Sequence, residues 1–291
     1  MNEHLYKIQQ SLFESARKST NPLFHDSRPE WSESIPELVG TGVLTELDGA
    51  CYIITAAHVV QGYALKKPRD PNRTEDEYDA SSEAYMALNN IGFYYDGSYY
   101  PVLRVVFTNT EHGKTENNVD IAVIFLGLDS ADELKQSFTF ITIDRIKLSH
   151  DVNTENRYYI FGYPASGADT IQATKKIELM PFEYVTFGVL PHDLSEIECD
   201  TRYNLLVYYD KRNIVATQSG QPLDNFAPQG ISGCGLWYND GGMSLELIGV
   251  MTEDKSAKEN QPLMMATRID EVVAIIHSKQ ISNCSKLILQ I

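Results

Sequence analysis

Short apolar runs separated by turn signals recur along most of the chain, and they constrain its fold more than any other feature. Two pairs of runs flank an Asp-Gly dipeptide: residues 40–47 and 51–56 around Asp48-Gly49, and residues 91–95 and 98–107 around Asp96-Gly97. Such dipeptides are typical of hairpin turns, because glycine readily takes a positive φ. Further runs follow at residues 119–126, 157–162, 177–189, 204–209, 235–238 and 245–251. This pattern predicts an all-β architecture of barrel or sandwich type, and periodicity alone does not distinguish the two.

Four segments depart from this pattern. Residues 3–17 and 269–276 carry apolar side chains at helical spacing, which predicts an amphipathic helix near each end of the chain. The first should pack on the body of the protein through Leu5, Ile8, Leu12, Phe13 and Ala16. Residues 20–37 are rich in Pro, Ser and charge and predict an extended arm, and residues 66–83 predict a long polar insertion.

The composition is that of a globular chain with an acidic balance. Its 291 residues are 43% hydrophobic and carry a formal net charge of -16. A chain of this length can bury a sizeable core. Phosphate binding needs clustered Lys and Arg, so the charge argues against nucleic acid or an anionic membrane as the partner. No stretch approaches the roughly 18 apolar residues that a membrane-spanning helix needs.

The spacing of the cysteines and the composition of residues 1–20 indicate in which cellular compartment the protein works. The four cysteines, Cys51, Cys199, Cys234 and Cys284, lack the spacing of metal ligands. Residues 1–20 show no basic patch followed by an apolar stretch and a cleavage site, as a secretory signal would. Scattered thiols without a signal predict a reducing, cytoplasmic location and no metal site.

Three short strings carry residue types that together suit nucleophilic catalysis. His58 ends the string Thr-Ala-Ala-His, Asp120 opens an apolar run, and Ser232 lies in a glycine-rich stretch. A serine hydroxyl needs a neighbouring imidazole to accept its proton, and the imidazole needs a carboxylate to fix its tautomer. Taken singly, each string also fits an ordinary role as a structural histidine, a carboxylate at the start of a strand, or a loop serine.

The local contexts favour one shared site. The apolar run before His58 gives way to two alanines, which predicts a tight turn that leaves the imidazole at a rim. Asp120 is costly to bury at the start of its run unless it is paired, and His58 is the natural partner. The glycines around Ser232 permit backbone conformations that aim successive N–H groups at one point.

In this order along the chain, the motifs at 55–58 (Thr-Ala-Ala-His), 120–122 (Asp-Ile-Ala) and 230–233 (Gly-Ile-Ser-Gly) resemble those of chymotrypsin/trypsin-like serine peptidases. The resemblance implies a catalytic triad of His58, Asp120 and Ser232, with the N–H groups of Gly230 and Ser232 as the oxyanion hole. It implies two six-stranded antiparallel Greek-key barrels and no metal or organic cofactor. Val59 stands where the family often has cysteine, and Gly162-Tyr163-Pro164 is similar to a motif of bacterial members.

On this basis the chain divides into four segments. Residues 1–37 hold the N-terminal helix and the arm, and residues 38–140 the first β-barrel with His58 and Asp120. Residues 141–267 hold the second barrel with Ser232, and residues 268–291 the C-terminal helix and tail.

The chain departs from the family pattern beside the nucleophile. Ile231 stands where members made as zymogens have an aspartate that pairs with a newly cleaved N-terminal amine. Activation by that ion pair cannot operate here, so either the oxyanion hole is preformed or something else, such as a protein partner, orders it. Cys234 stands where many members have glycine, and its small side chain should be tolerated.

The resemblance also suggests a substrate cleft. Thr252 and Glu253 follow a strand whose edge would pair with the substrate backbone, so we expect both to line the cleft. Counting back from Ser232 without a gap puts Phe226 at the base of the primary pocket, which predicts an apolar or small side chain before the cleaved bond. A gap of one or two residues would put Asp224 there and favour Lys or Arg instead.

We therefore expect a serine endopeptidase that acts on polypeptides. Missing secretion and zymogen features suggest a regulated intracellular effector with a regulatory protein partner, such as those of bacterial phage defence. Two alternatives stay open: a catalytically silent binding or scaffold module on the same fold, and an esterase that uses the same triad.

Overall fold

Most of the structure, a computed structural model, consists of two curled antiparallel sheets, each a half-barrel. The prediction of a mostly-β fold is therefore confirmed. It describes residues 3–25, 36–64, 91–95, 98–101, 104–107, 119–165, 168–171, 176–189, 199–210, 230–255 and 262–277. The polar insertion at 66–83, the Asp96-Gly97 turn, Asp224, Phe226 and Cys284 lie outside the described residues.

The first sheet has seven strands among the described residues, in the order β5-β4-β1-β2-β3-β7-β6. They are β1 (Thr20–His25), β2 (Glu37–Leu47), β3 (Ala50–Thr55), β4 (Ile91–Tyr95), β5 (Ser98–Pro101), β6 (Arg104–Phe107) and β7 (Ala122–Phe125). The predicted hairpin between β2 and β3 is confirmed: Asp48 and Gly49 have φ of 53° and 76°, the two positive values of a type I′ turn.

Strand β1 corrects the prediction of an extended arm from residue 20. Residues 20–25 pair with β2 on one side and with β4 on the other. Leu23 and Phe24 are buried, and so are the polar Thr20 and Asn21. The polar residues and Pro22 made this segment look like an arm. Its neighbours on both sides make it an interior strand of the first sheet.

In the described part of the chain, the second sheet has six strands, in the order β11-β8-β13-β14-β15-β12, and a two-stranded sheet of β9 and β10 accompanies it. The strands are β8 (Arg157–Gly162), β9 (Ala168–Ile171), β10 (Lys176–Leu179), β11 (Phe182–Phe187), β12 (Asn204–Tyr208), β13 (Gly235–Tyr238), β14 (Glu246–Asp254) and β15 (Leu263–Arg268). The run 177–189, predicted as one strand, is divided at Pro181, whose nitrogen has no hydrogen to donate. Beyond β11, the Val189 N–H donates to the Leu206 carbonyl at 3.0 Å and brings the two edge strands together.

Both terminal helices are present where the sequence predicts them. They are α1 (Glu3–Arg17) and α4 (Ile269–His277), and two further helices are α2 (Ala57–Ala64) and α3 (Leu128–Lys135), with a 3-10 turn at Ile143–Arg145. Phe13 of α1 packs edge-on against Tyr159 of β8 at 5.6 Å between ring centroids. Leu12, Phe13 and Ala16 belong to an apolar cluster that also includes residues of both sheets and of α4, so α1 is part of the core. No helix within the described ranges is both long and apolar enough to cross a bilayer.

Candidate active site

His58 and Asp120 lie together at the ends of neighbouring strands. β3 ends at Thr55 and β7 begins at Ala122, and these two residues pair across the sheet. The Ala57 N–H donates to the Asp120 carbonyl at 3.2 Å, which holds the two chain segments side by side. The tight turn predicted after β3 is corrected, because the chain enters helix α2 at Ala57 and His58 lies in its first turn.

Both oxygens of the Asp120 carboxylate bond to His58. Oδ1 accepts the backbone N–H of His58 at 2.9 Å, and Oδ2 faces the ring nitrogen Nδ1 within hydrogen-bond distance. A carboxylate has only acceptor atoms, so Nδ1 is the donor, and in the neutral ring Nε2 is then the nitrogen that carries the lone pair. The two side chains are 48% and 29% exposed. The imidazole is therefore oriented by Asp120 and open to solvent on its other side.

Ser232 lies in a tight turn between Ile231 and Cys234. The Cys234 N–H donates to the Ile231 carbonyl at 2.9 Å, and Gly233 has a φ of +89°. A Cβ at Gly233 would lie 2.0 Å from both the Thr41 carbonyl oxygen and Thr55 Oγ1. Only glycine fits at this position, for reasons of both backbone angle and space.

The peptide group after Ser232 is held on both sides. The Thr41 N–H donates to the Ser232 carbonyl at 3.0 Å, and the Gly233 N–H donates to the Met251 carbonyl at 2.7 Å. The peptide before Ser232 is trans and its carbonyl, that of Ile231, is used inside the turn, so the Ser232 N–H points away from the turn. In the described part of the chain, the N–H groups of Gly230 and Ser232 have no intramolecular acceptor.

The structure brings the Ser232 turn close to the His58 segment. A Cβ built on Gly40 would lie 2.5 Å from Val59 Cγ1 and 3.2 Å from the Ser232 carbonyl oxygen, so both flank one point of β2. Among the residues that are described, no hydrogen bond joins the Ser232 hydroxyl to the His58 ring. His58 and Asp120 are thus in direct contact, and Ser232 is their neighbour without a hydrogen bond to either.

A small pocket of about 30 Å³ opens beside Ser232, which is room for one or two water molecules. Its described lining consists of Ile231, Ser232, Met251, Thr252, Glu253, Asp254 and Met264. Thr252 and Glu253 thus lie beside the serine, whereas no sequence pattern pointed to the two methionines. Glu253 forms an ion pair of 2.9 Å with the buried Lys255, so its charge at the pocket is balanced.

Neither Ile231 nor Cys234 offers a charge at the turn. Both are buried in an apolar cluster that includes Tyr158 and Leu236. Burial strongly raises the pKa of the Cys234 thiol, which keeps it protonated. The absence of a carboxylate at residue 231 therefore leaves an apolar contact where the resemblance would place an ion pair.

Two buried threonines contribute contacts that the sequence analysis missed. Thr41 Oγ1 donates to the Gly230 carbonyl at 2.9 Å and accepts the Tyr163 N–H at 3.0 Å. Thr55 Oγ1 donates to the Thr41 carbonyl at 2.7 Å. The only sequence signal for Thr41 is its place between two glycines in an apolar strand. In the described ranges no cluster of His, Cys, Asp and Glu side chains has the arrangement of a metal site.

Comparison with known proteins adds no name to this site, because no family model and no curated protein matches the chain. The resemblance to trypsin-like peptidases therefore stays a prediction from the motifs.

Proposed function

We propose that the chain is a trypsin-like serine endopeptidase, in which Ser232 attacks a peptide carbonyl. The Ser232 Oγ–carbon bond forms while His58 Nε2 takes the hydroxyl proton, and His58 returns it to the leaving amine as the carbon–nitrogen bond breaks. Water then hydrolyses the acyl-enzyme by the same route. The N–H groups of Gly230 and Ser232 stabilise the oxyanion in both steps. The proposal includes two Greek-key barrels as the fold, although the first sheet has seven described strands where six were expected.

The double hydrogen bond between Asp120 and His58 is the observation that carries the proposal. A carboxylate that accepts both the backbone N–H and Nδ1–H of one histidine fixes the ring orientation and its tautomer together. That arrangement leaves Nε2 as a base and stabilises the imidazolium that forms after proton transfer. A histidine with a purely structural role would not need an exposed ring held in this way.

The turn that carries Ser232 also supports the proposed peptidase activity. Its two candidate donors, the N–H groups of Gly230 and Ser232, have no acceptor within the described residues, so nothing in that part of the chain competes with a substrate oxygen for them. The hydrogen bond between nucleophile and base often forms only once substrate is bound, so its absence here fits a resting enzyme.

A second candidate, a catalytically silent binding or scaffold module, is favoured by that same missing bond between Ser232 and His58. An esterase with the same triad is the third. The proposal also includes control by a protein partner in a cytoplasmic setting, such as bacterial phage defence, because the sequence lacks secretion features and, at Ile231, the carboxylate through which a zymogen is activated.

Hydrolysis of unfolded casein and of a p-nitrophenyl ester by the full chain separates these candidates. The variants are Ser232→Ala and His58→Ala, with Ser244→Ala at an exposed turn as the matched control. Casein cleavage by wild type and Ser244→Ala alone supports the proposal, and cleavage of the ester alone supports the esterase. No hydrolysis, either by the pure protein or after addition of cell lysate inactivated for its own proteases, supports the silent module.

A further inference from the structure

The side chain of Thr41 joins three segments that are far apart in sequence. It is fully buried on β2, and its hydroxyl lies between the Tyr163 N–H at 3.0 Å and the Gly230 carbonyl at 2.9 Å. A hydroxyl has one hydrogen to donate, and here the Gly230 carbonyl takes it. The first sheet is thereby tied to the turn that carries Ser232 and to the segment after β8.

The backbone of Thr41 adds two further contacts. Its N–H donates to the Ser232 carbonyl at 3.0 Å, and its carbonyl accepts the Thr55 hydroxyl at 2.7 Å. Since Thr55 is itself buried at the end of β3, Thr41 is held from its own sheet while it holds the turn. One residue therefore fixes the carbonyls of both Gly230 and Ser232.

Three consecutive carbonyls of the turn are held as a result. The Gly230 carbonyl bonds to the Thr41 hydroxyl, that of Ile231 to the Cys234 N–H, and that of Ser232 to the Thr41 N–H. Gly230 has a φ of +96° and lacks a side chain to restrict it, so its peptide groups need an outside contact to keep one orientation. Ile231 is apolar and supplies none.

The position of Gly230 is also restricted by the segment after β8, to which the Thr41 hydroxyl is hydrogen-bonded. A Cβ at Gly230 would lie 2.5 Å from the Ala165 nitrogen and 3.0 Å from the Tyr163 carbonyl oxygen. The backbone of Gly230 is thus in close contact with that of residues 163–165. The Thr41 hydroxyl is hydrogen-bonded to both segments and therefore sets the distance between them.

We infer that Thr41 is a positioning residue, whose hydroxyl keeps the Gly230 end of the Ser232 turn in the orientation that presents its N–H groups to a substrate oxygen. This inference rests on the proposed function, because the orientation matters for chemistry only if Ser232 is a nucleophile. Thr41 acts through Gly230 and does not touch the reacting atoms.

The test uses three variants of β2 in the full chain. Thr41→Val removes the hydroxyl and keeps the shape, Thr41→Ser restores the hydroxyl, and Thr45→Val is the matched control. Thr45 is equally buried on the same strand, and its Oγ1 has no hydrogen-bond partner among the described residues. The first readout is the second-order rate constant for a fluorophosphonate probe. Ser232 Oγ bonds to phosphorus, fluoride leaves, and His58 takes the proton.

We expect Thr41→Val to react about ten- to a hundredfold more slowly than wild type, which is less than the loss of a whole oxyanion donor. Thr41→Ser and Thr45→Val should react within about threefold of wild type, since neither alters the orientation of an oxyanion donor. Rates are measured well below the unfolding temperature of each variant, so a merely structural role would not slow Thr41→Val. A rate for Thr41→Val equal to that of Thr45→Val overturns the inference while the proposed function stands.

The second readout, amide hydrogen exchange, does not depend on activity. Thr41→Val should speed exchange of the Tyr163 N–H, which loses its acceptor, and of the Gly233 N–H in the loosened turn. Thr41→Ser and Thr45→Val should leave both rates as in wild type. If wild-type Ser232 does not react with the probe, the proposed function fails. Unchanged exchange in Thr41→Val would then overturn the role of Thr41 as well.

Discussion

Replacement of Gly233 by alanine tests how tightly the Ser232 turn is held. At a φ of +89° an L-residue is strained, by about 1–3 kcal/mol. The new Cβ would also lie 2.0 Å from the Thr41 carbonyl oxygen and from Thr55 Oγ1, both buried parts of the first sheet. Overpacking of this kind costs about 1–3 kcal/mol more. We therefore expect Gly233→Ala to lower the free energy of unfolding by about 2–6 kcal/mol, a large part of the usual 5–15 kcal/mol.

Gly241→Ala separates the two contributions. Gly241 has a φ of +95°, and a Cβ there would meet no atom of the described residues within 4 Å, so this variant carries the backbone strain alone. Urea unfolding of wild type and both variants, followed by circular dichroism, gives the two free-energy changes. The difference between them is the cost of the contact with Thr41 and Thr55. If Gly233→Ala is no less stable than Gly241→Ala, the close contact between the turn and β2 is wrong.

Three further outcomes follow from other parts of the structure. Asp120→Asn should slow fluorophosphonate labelling by about three to four orders of magnitude, because an amide no longer fixes the tautomer of the ring; a loss below tenfold contradicts the triad. Phe13→Ala should lower the free energy of unfolding, measured with urea, by about 3–5 kcal/mol, whereas Tyr6→Ala on the exposed side of α1 should leave it almost unchanged. Equal decreases in the two variants would show that α1 does not pack in the core. Burial, and to a lesser extent the positive charge of Lys147, lowers the pKa of His150 below its usual value of 6.5. As the pH falls, this histidine is therefore protonated more readily in the unfolded chain than in the folded one. The free energy of unfolding should therefore decrease as the pH drops below 6.5. Between pH 7.5 and 5 it should decrease less in a His150→Gln variant than in wild type, and an equal decrease in both would contradict this role of His150.

The sequence predicted the features that depend on local periodicity and on turn chemistry. Helices α1 and α4 follow from the spacing of their apolar residues. Their predicted faces are buried from Leu12 onward in α1 and throughout α4, whereas Ile8 is half-buried and the side chain of Leu5 lies outside the described part. The hairpin at Asp48-Gly49 follows from the ease with which these residues take positive φ. Such features are decided by a few neighbouring residues, and a single sequence contains them.

Features that depend on distant neighbours were missed. Residues 20–25 look polar and carry a proline, and only pairing with β2 and β4 makes them a strand. Thr41 looks like an ordinary strand residue, because its partner Gly230 is 189 positions away. The pairing of His58 with Asp120, which are 62 positions apart, is the exception, because a carboxylate at the start of an apolar run needs a partner and this could be predicted from chemistry.

The most direct test of the central claim is to find the residue that reacts with a fluorophosphonate. The protein is treated with the probe, digested, and mapped by mass spectrometry, with Ser232→Ala and His58→Ala treated in parallel. We expect one modified residue, Ser232, in the wild type and no modification in either variant. Modification of another serine, or equal labelling of Ser232 in His58→Ala, would contradict a nucleophile activated by the His58–Asp120 pair.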